Sequence, residues 1–136
     1  MKAVVDTNVV AYFLLGTEEF VAEASRFWRR VRDPTAPTVW EAELANVVWM
    51  AVRAKVLPPE EAPRRLTRAA GLGIDSVSSR SLWHGALARS LSSGVAVYDT
   101  LFVELAAREH LHLATFDARV LKSFPDVAHR PALLTG

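Results

Sequence analysis

The stretch Val4-Val5-Asp6-Thr7-Asn8-Val9-Val10 limits what this chain can fold into more than any other. A short apolar run from Lys2 to Val5, rich in β-branched residues, breaks into Asp-Thr-Asn and resumes as Val9, Val10, Ala11, Tyr12, Phe13 and Leu14. A continuous apolar run that short reads as a strand covered on both faces, as in a parallel sheet. The polar triplet then falls where the strand ends and a helix begins. Ligands of open α/β sheets bind at the carboxyl ends of the strands, so Asp6 is a carboxylate where such folds do chemistry. Asp, Thr and Asn are also preferred helix N-caps, and capping alone accounts for the triplet unless Asp6 has partners.

The rest of the chain alternates in the same way. Val9 to Leu15 reads as a short helix ended by Gly16, and Thr17 as the N-cap of a helix from Glu18 to Val31. Phe20, Ala24, Phe27 and Val31 repeat at helical spacing and should face inward, leaving Arg26, Arg29 and Arg30 on a solvated side. Asp33 to Thr38 reads as a turn into a brief second strand, limited by Pro34 and Pro37. A long helix, Trp40 to about Ala54, buries Leu44, Val47, Val48 and Ala51; after Leu57-Pro58-Pro59 a further helix runs from Glu60 to Gly71. Ile74 to Val77 is a third strand, and Ser79 to Leu91 a helix with Leu82, Ala86, Leu87 and Ser90 inward. A strongly apolar helix through Leu101 to His110 carries Asp99 in its first turn; Leu111 to Thr115 is a fourth strand, followed by the helix Ala118 to Ser123 and a tail with Pro125 and Pro131. Strands alternating with helices define an α/β fold with a parallel sheet.

Composition narrows the class. In 136 residues, 51% hydrophobic and 23% charged, there is enough for one domain with a sizeable core, and disorder is excluded as the main state. Charges interrupt every apolar stretch well short of a membrane span, and no signal-peptide pattern precedes the first strand. The absence of cysteine rules out disulfides and thiolate metal sites and fits a cytoplasmic protein. A net charge of +1 neither demands nor excludes nucleic acid. His84 has no second histidine at ligand spacing, and His110 and His112 straddle a helix-to-strand junction without sharing a face.

The acids are more telling. Asp6 and Asp117 each follow an apolar strand and precede a helix, Asp99 opens a helix, and Glu43 lies inside a long helix after the second strand. Right-handed crossovers would bring these junctions to one sheet edge. Four carboxylates would then meet with Thr7, Asn8, Asn46 and Thr115 as neutral company. Carboxylates so crowded raise one another's pKa unless a cation intervenes, and an oxygen-only set suits a hard ion such as Mg²⁺ or Mn²⁺. Capping explains Asp99 and Asp117 singly but not Glu43. Helical periodicity leaves Glu41 and Glu43 at opposite borders of the buried stripe and does not choose between them; Asn46, three residues on, shares the side of Glu43.

These segments carry a resemblance. Val-Val-Asp-Thr-Asn-Val-Val, Glu43-Leu44-Ala45-Asn46-Val47, Tyr98-Asp99-Thr100-Leu101-Phe102 and Leu113-Ala114-Thr115-Phe116-Asp117 resemble, in order and approximate spacing, the successive motifs of the PIN-domain family, and especially its small VapC-like ribonuclease toxins. The resemblance covers almost the whole chain. It implies a three-layer α/β/α fold with a short central parallel sheet flanked by helices, and a Mg²⁺- or Mn²⁺-dependent endoribonuclease. It further implies frequent homodimers and a cognate antitoxin protein that inhibits by covering the acidic cleft. Carried over by residue, Asp6, Glu43, Asp99 and Asp117 match the metal-binding acids, and Asn8 and Thr115 the polar residues that support them. The family's Glu stands three before its Asn, which selects Glu43 over Glu41. Two other activities compete with the nuclease: a non-catalytic PIN-like module that binds RNA or protein, and a phosphotransferase with Asp6 as nucleophile. The latter requires an acid two residues on, where this chain has Asn8.

Overall fold

The computed structural model describes residues 1–135 and sets Lys2–Val5 (β1) in the middle of five parallel strands. Asp33–Pro37 (β2) lies on one side of β1 and Asp75–Val77 (β3) beyond it; Leu113–Ala114 (β4) lies on the other side, with Ala128–His129 (β5) at the far edge. Val4 pairs with Thr35 of β2 and with Leu113 of β4. Ala3, Val4 and Val5 are almost without exposure, as a central strand covered on both faces requires. The chain builds outward from β1 to β3 on one side, then crosses back to β4. That reversal puts a topological switch point beside the carboxyl end of β1.

Two helical layers enclose the sheet. Thr7–Leu15 (α1) packs against Val21–Arg30 (α2), Val39–Arg53 (α3) and Ala62–Ala70 (α4). Trp83–Ser93 (α5) packs on Val97–Glu109 (α6), and α6 lies against β1, β2 and β4. Every residue of α6 from Thr100 to Ala106 is buried, because this helix has α5 on one side and the sheet on the other. The two helices approach so closely that a Cβ added at Gly85 would overlap the Glu104 carboxylate, which Arg89 and Arg108 hold at 2.9 and 2.7 Å. Ala118–Ser123 (α7) leads to β5. Among the described residues no helix is long and apolar enough to cross a membrane.

Several local expectations are corrected. Asp33–Pro37 is itself the second strand rather than a turn before it. In a parallel strand alternate N–H groups serve different neighbours, so each proline deletes one bond, and the Thr35 hydroxyl adds one to the Asp75 carbonyl at 3.0 Å. Thr17 does not cap by its side chain: its carbonyl accepts from Phe20 and Val21, and α2 starts three residues later than expected. Leu87 faces outward, 49% exposed, since Ala86 takes the contact with α6. Arg30 is no solvated helix end. It donates to the carbonyls of Pro131 and Leu134 at 3.1 and 3.0 Å and so pins the C-terminal segment, which forms the fifth strand absent from the sequence expectation. Gly16, at φ 66°, closes α1 in the left-handed conformation as expected.

Candidate functional site

The carboxyl end of β1 delivers Asp6 into the interior, 6% exposed. Its side chain caps α1, accepting from the Thr7 N–H at 2.7 Å through Oδ1. Through Oδ2 it accepts from the Thr115 hydroxyl at 2.7 Å and, more weakly, from the Asn8 amide at 3.5 Å. Asn8 also donates to Thr115 at 3.3 Å and accepts from the Phe116 N–H at 3.2 Å, while Thr115 accepts from the Asp117 N–H at 3.0 Å. Asn8 and Thr115 thus stitch the ends of β1 and β4 together and fix Asp6 between them.

The other acids arrive from separate elements. Glu43, on α3, accepts from the Thr7 hydroxyl at 2.7 Å, so the residue after Asp6 ties the second acid to the first. Asp99 sits in the first turn of α6. Asp117 caps α7, accepting from the N–H groups of Arg119 and Val120 at 2.9 and 3.0 Å. A cavity of about 320 Å³ is lined by Asp6, Thr7, Asn8, Ala11, Tyr12, Glu43, Val47 and Asp99. Asp117 is outside that lining but within electrostatic reach of Asp99 and Tyr12. Asn46 is not brought in: it is exposed, and its amide turns toward the Met50 sulfur at 3.6 Å. Tyr12 is a lining residue that the sequence did not flag; its helical position one turn beyond Asn8 was the available signal.

Electrostatics separates this cluster from ordinary surface acids. Burial pushes the Asp6 carboxyl up to about 7; the charges of Asp99 and Glu43 push the same way, against the hydrogen bonds from Thr115 and Thr7. Glu43 is raised by burial and then by Asp99, with its bond from Thr7 opposing. Asp99 is raised by burial and by Asp117, with Arg119 opposing. These acids therefore destabilise one another in their ionised forms. Among the described residues no three of them stand close enough together to form a finished metal shell. The donor chemistry nonetheless suits a hard dication: oxygen ligands only, on a site whose uncompensated charge calls for positive charge.

A larger cavity of about 400 Å³, lined by Lys2, Asp33, Thr35, Asp75 and Glu109 among others, opens at the amino ends of the strands. Position decides against it, since sites in parallel sheets sit at the carboxyl ends. His84 and His110 are exposed, and the rings of His112 and His129 lie edge to face at 4.8 Å, neither of them lining the acidic cavity.

Residues 3–129 match the family model of the PIN domain. Ribonuclease VapC3 of Pyrobaculum aerophilum is 29% identical over 129 residues, spanning 92% of this chain and 96% of that protein. A toxin–antitoxin complex from Klebsiella pneumoniae contains a chain of the same fold, with TM-score 0.66 and 17% identity over 95% of this chain and 97% of that one. VapBC2 of Rickettsia felis, bound to a DNA fragment from its promoter, gives TM-score 0.65 and 13% identity over 96% and 98%.

Proposed function

The chain belongs to the PIN domain family, and on that premise we propose that it is an endoribonuclease dependent on Mg²⁺ or Mn²⁺, the toxin of a toxin–antitoxin pair acting in the cytoplasm. One observation carries the reading: Asp6, Glu43 and Asp99, from three different elements, line one cavity at the carboxyl end of the central strand and repel one another there. A helix cap needs no such convergence. The relative named a ribonuclease, similar over nearly the whole of both chains, supports the same chemistry.

Asp6, Glu43 and Asp99 would hold the cation, with Asp117 completing the acidic set from beside Asp99. When bound, such an ion lowers the pKa of a water ligand and neutralises charge on a phosphodiester. The protein's own residues supply order. Thr115 and Asn8 keep Asp6 facing the cavity, and Thr7 binds Glu43 so that the two acids cannot drift apart. The arginines near the site contribute positive potential: Arg119 lies within reach of Asp99 and donates to the Gly94 carbonyl at 2.6 Å. An antitoxin is the expected partner, since both structural relatives were solved as toxin–antitoxin assemblies. A homodimer is the expected assembly, and Trp49 and Met50, each more than half exposed on α3, offer it apolar surface.

The test is cleavage of a mixed RNA pool by purified protein with Mg²⁺ or Mn²⁺, beside EDTA and Asp6→Ala controls. Cutting that is lost in both controls is the expected result. Folded protein that binds RNA without cutting it in either metal would instead make the chain a PIN-like binding module.

A further inference from the structure

The polar side chains lining the acidic cavity can be sorted by the hydrogen bonds they have left to give. Asp6, Glu43 and Asp99 only accept when ionised. The Thr7 hydroxyl is spent on Glu43, and the two amide hydrogens of Asn8 are spent on Asp6 and Thr115. Tyr12 remains, a phenol that lines the cavity, whose hydroxyl has no protein partner among the described residues and which lies within electrostatic reach of Glu19, Asp117 and Asp6. A phosphodiester presents acceptors only, so a cavity that is to hold one needs a donor facing it.

The ring behind that hydroxyl is built to stay still. Tyr12 stacks on Phe20 at 4.5 Å and 16°, and Phe116 closes on both rings at 5.4 and 4.8 Å. Arg130 lies over Phe116 and Phe20 at 4.8 and 5.7 Å and is itself held by Glu23 at 2.7 Å. Side chains from the turn before α2, β4's exit and the C-terminal segment therefore fix one phenol at the cavity wall. No catalytic use of the acids requires this; the ring packs against Phe20 and Phe116, and the hydroxyl is the polar group it brings to the cavity wall.

We propose that the Tyr12 hydroxyl is a substrate-contacting donor, bonding a non-bridging oxygen of the phosphodiester held over Asp6, Glu43 and Asp99. This rests on the nuclease reading and names a residue for which the sequence motifs carried no role. The donor and the aromatic stack are separable by mutation: Tyr12→Phe deletes the hydroxyl and keeps the ring, while Tyr12→Ala deletes both.

The experiment uses an oligoribonucleotide recovered as a cleaved site from the mixed RNA pool, resynthesised with a normal phosphate or with each of the two methylphosphonate diastereomers at the scissile bond. Tyr12→Phe should lower kcat/KM on the phosphate by about tenfold to a hundredfold, the range for a hydrogen bond to a charged acceptor, with the melting temperature unchanged. The methylphosphonate that removes the bonded oxygen should slow the wild type, and Tyr12→Phe should add no further loss on that substrate. Equal rates for wild type and Tyr12→Phe, or losses that simply multiply on both diastereomers, would overturn the inference. Loss in Tyr12→Ala alone would also overturn it, by assigning the effect to the ring. Failure of the nuclease reading looks different: the wild type itself would not cut, or Asp99→Asn would cut as well as it does.

Discussion

Metal-free protein should lose stability as the pH rises through the range in which Asp6 ionises. In the unfolded chain this carboxyl titrates near 3.8; in the folded protein burial and the charges of Asp99 and Glu43 hold it up to about 7. Between those values the native state keeps a proton that the unfolded state has released, so unfolding becomes easier with rising pH. At 1.36 kcal/mol for each pH unit, the interval between about pH 5 and 7 corresponds to roughly 3 kcal/mol from Asp6 alone. Glu43 and Asp99, also raised, act in the same direction. The assay is urea unfolding in EDTA at about pH 5 and about pH 8. With a slope of about 2 kcal/mol per molar urea, the wild-type midpoint should fall by more than about 1 M. Asp6→Asn cannot ionise; its one amide oxygen still accepts from the Thr7 N–H, and its amide nitrogen meets the Thr115 hydroxyl, which can turn to accept, so its midpoint should fall much less. Added Mg²⁺ should flatten the wild-type dependence, since binding to the native state rewards the ionised acids. Parallel falls for wild type and Asp6→Asn would refute the assignment of this pressure to Asp6.

Other perturbations separate chemistry from scaffold. Asp99→Asn should abolish cleavage and the Mg²⁺-induced rise in melting temperature while leaving the metal-free protein at least as stable as wild type, because it removes a charge raised by burial and by Asp117. Gly85→Ala should cost about 1–3 kcal/mol by overpacking α5 against Glu104, and pairing it with Glu104→Ala should give a total cost below the sum of the two single losses in chemical denaturation. Arg30→Ala should release the carbonyls of Pro131 and Leu134 and raise hydrogen exchange in β5 and the segment after it, with about 1–3 kcal/mol lost in global stability.

How far the sequence reaches depends on whether the deciding interaction is local. Asp6 and its helix were legible because an apolar strand, a polar break and a renewed apolar run lie side by side, and β1 emerges as Lys2–Val5. The acids were proposed from their motifs. The resemblance selects Glu43 over Glu41 where periodicity does not, and in the fold Glu43 lines the cavity and accepts from the Thr7 hydroxyl 36 positions away. What escaped was non-local. The fifth strand is defined by its pairing with β4, and the segment after it is held by Arg30, neither visible in a two-residue run ahead of Pro131. Asn46 fell away because a shared helix side does not guarantee a shared target, and Met50 lay closer. Tyr12 was read as part of an apolar run because nothing in the linear chain announces Phe20, Phe116 and Arg130 behind it.

The acids also divide by how firmly the backbone holds them. Asp6 and Asp117 are helix caps, Asp6 anchored by one N–H and Asp117 by two N–H groups of the helix each begins, so their positions follow from the fold itself. Glu43 is tied by a single hydroxyl, and Asp99 accepts no protein hydrogen bond among the described residues. Anchored carboxylates beside less anchored ones suit a site that must accommodate charge arriving from outside: the caps set the location, and Glu43 and Asp99 are held there by fewer hydrogen bonds. Capping and chemistry are therefore one arrangement at this sheet edge. The residues that end the strands and start the helices gather the charge, and the helices α3 and α6 bring the groups that can respond to it.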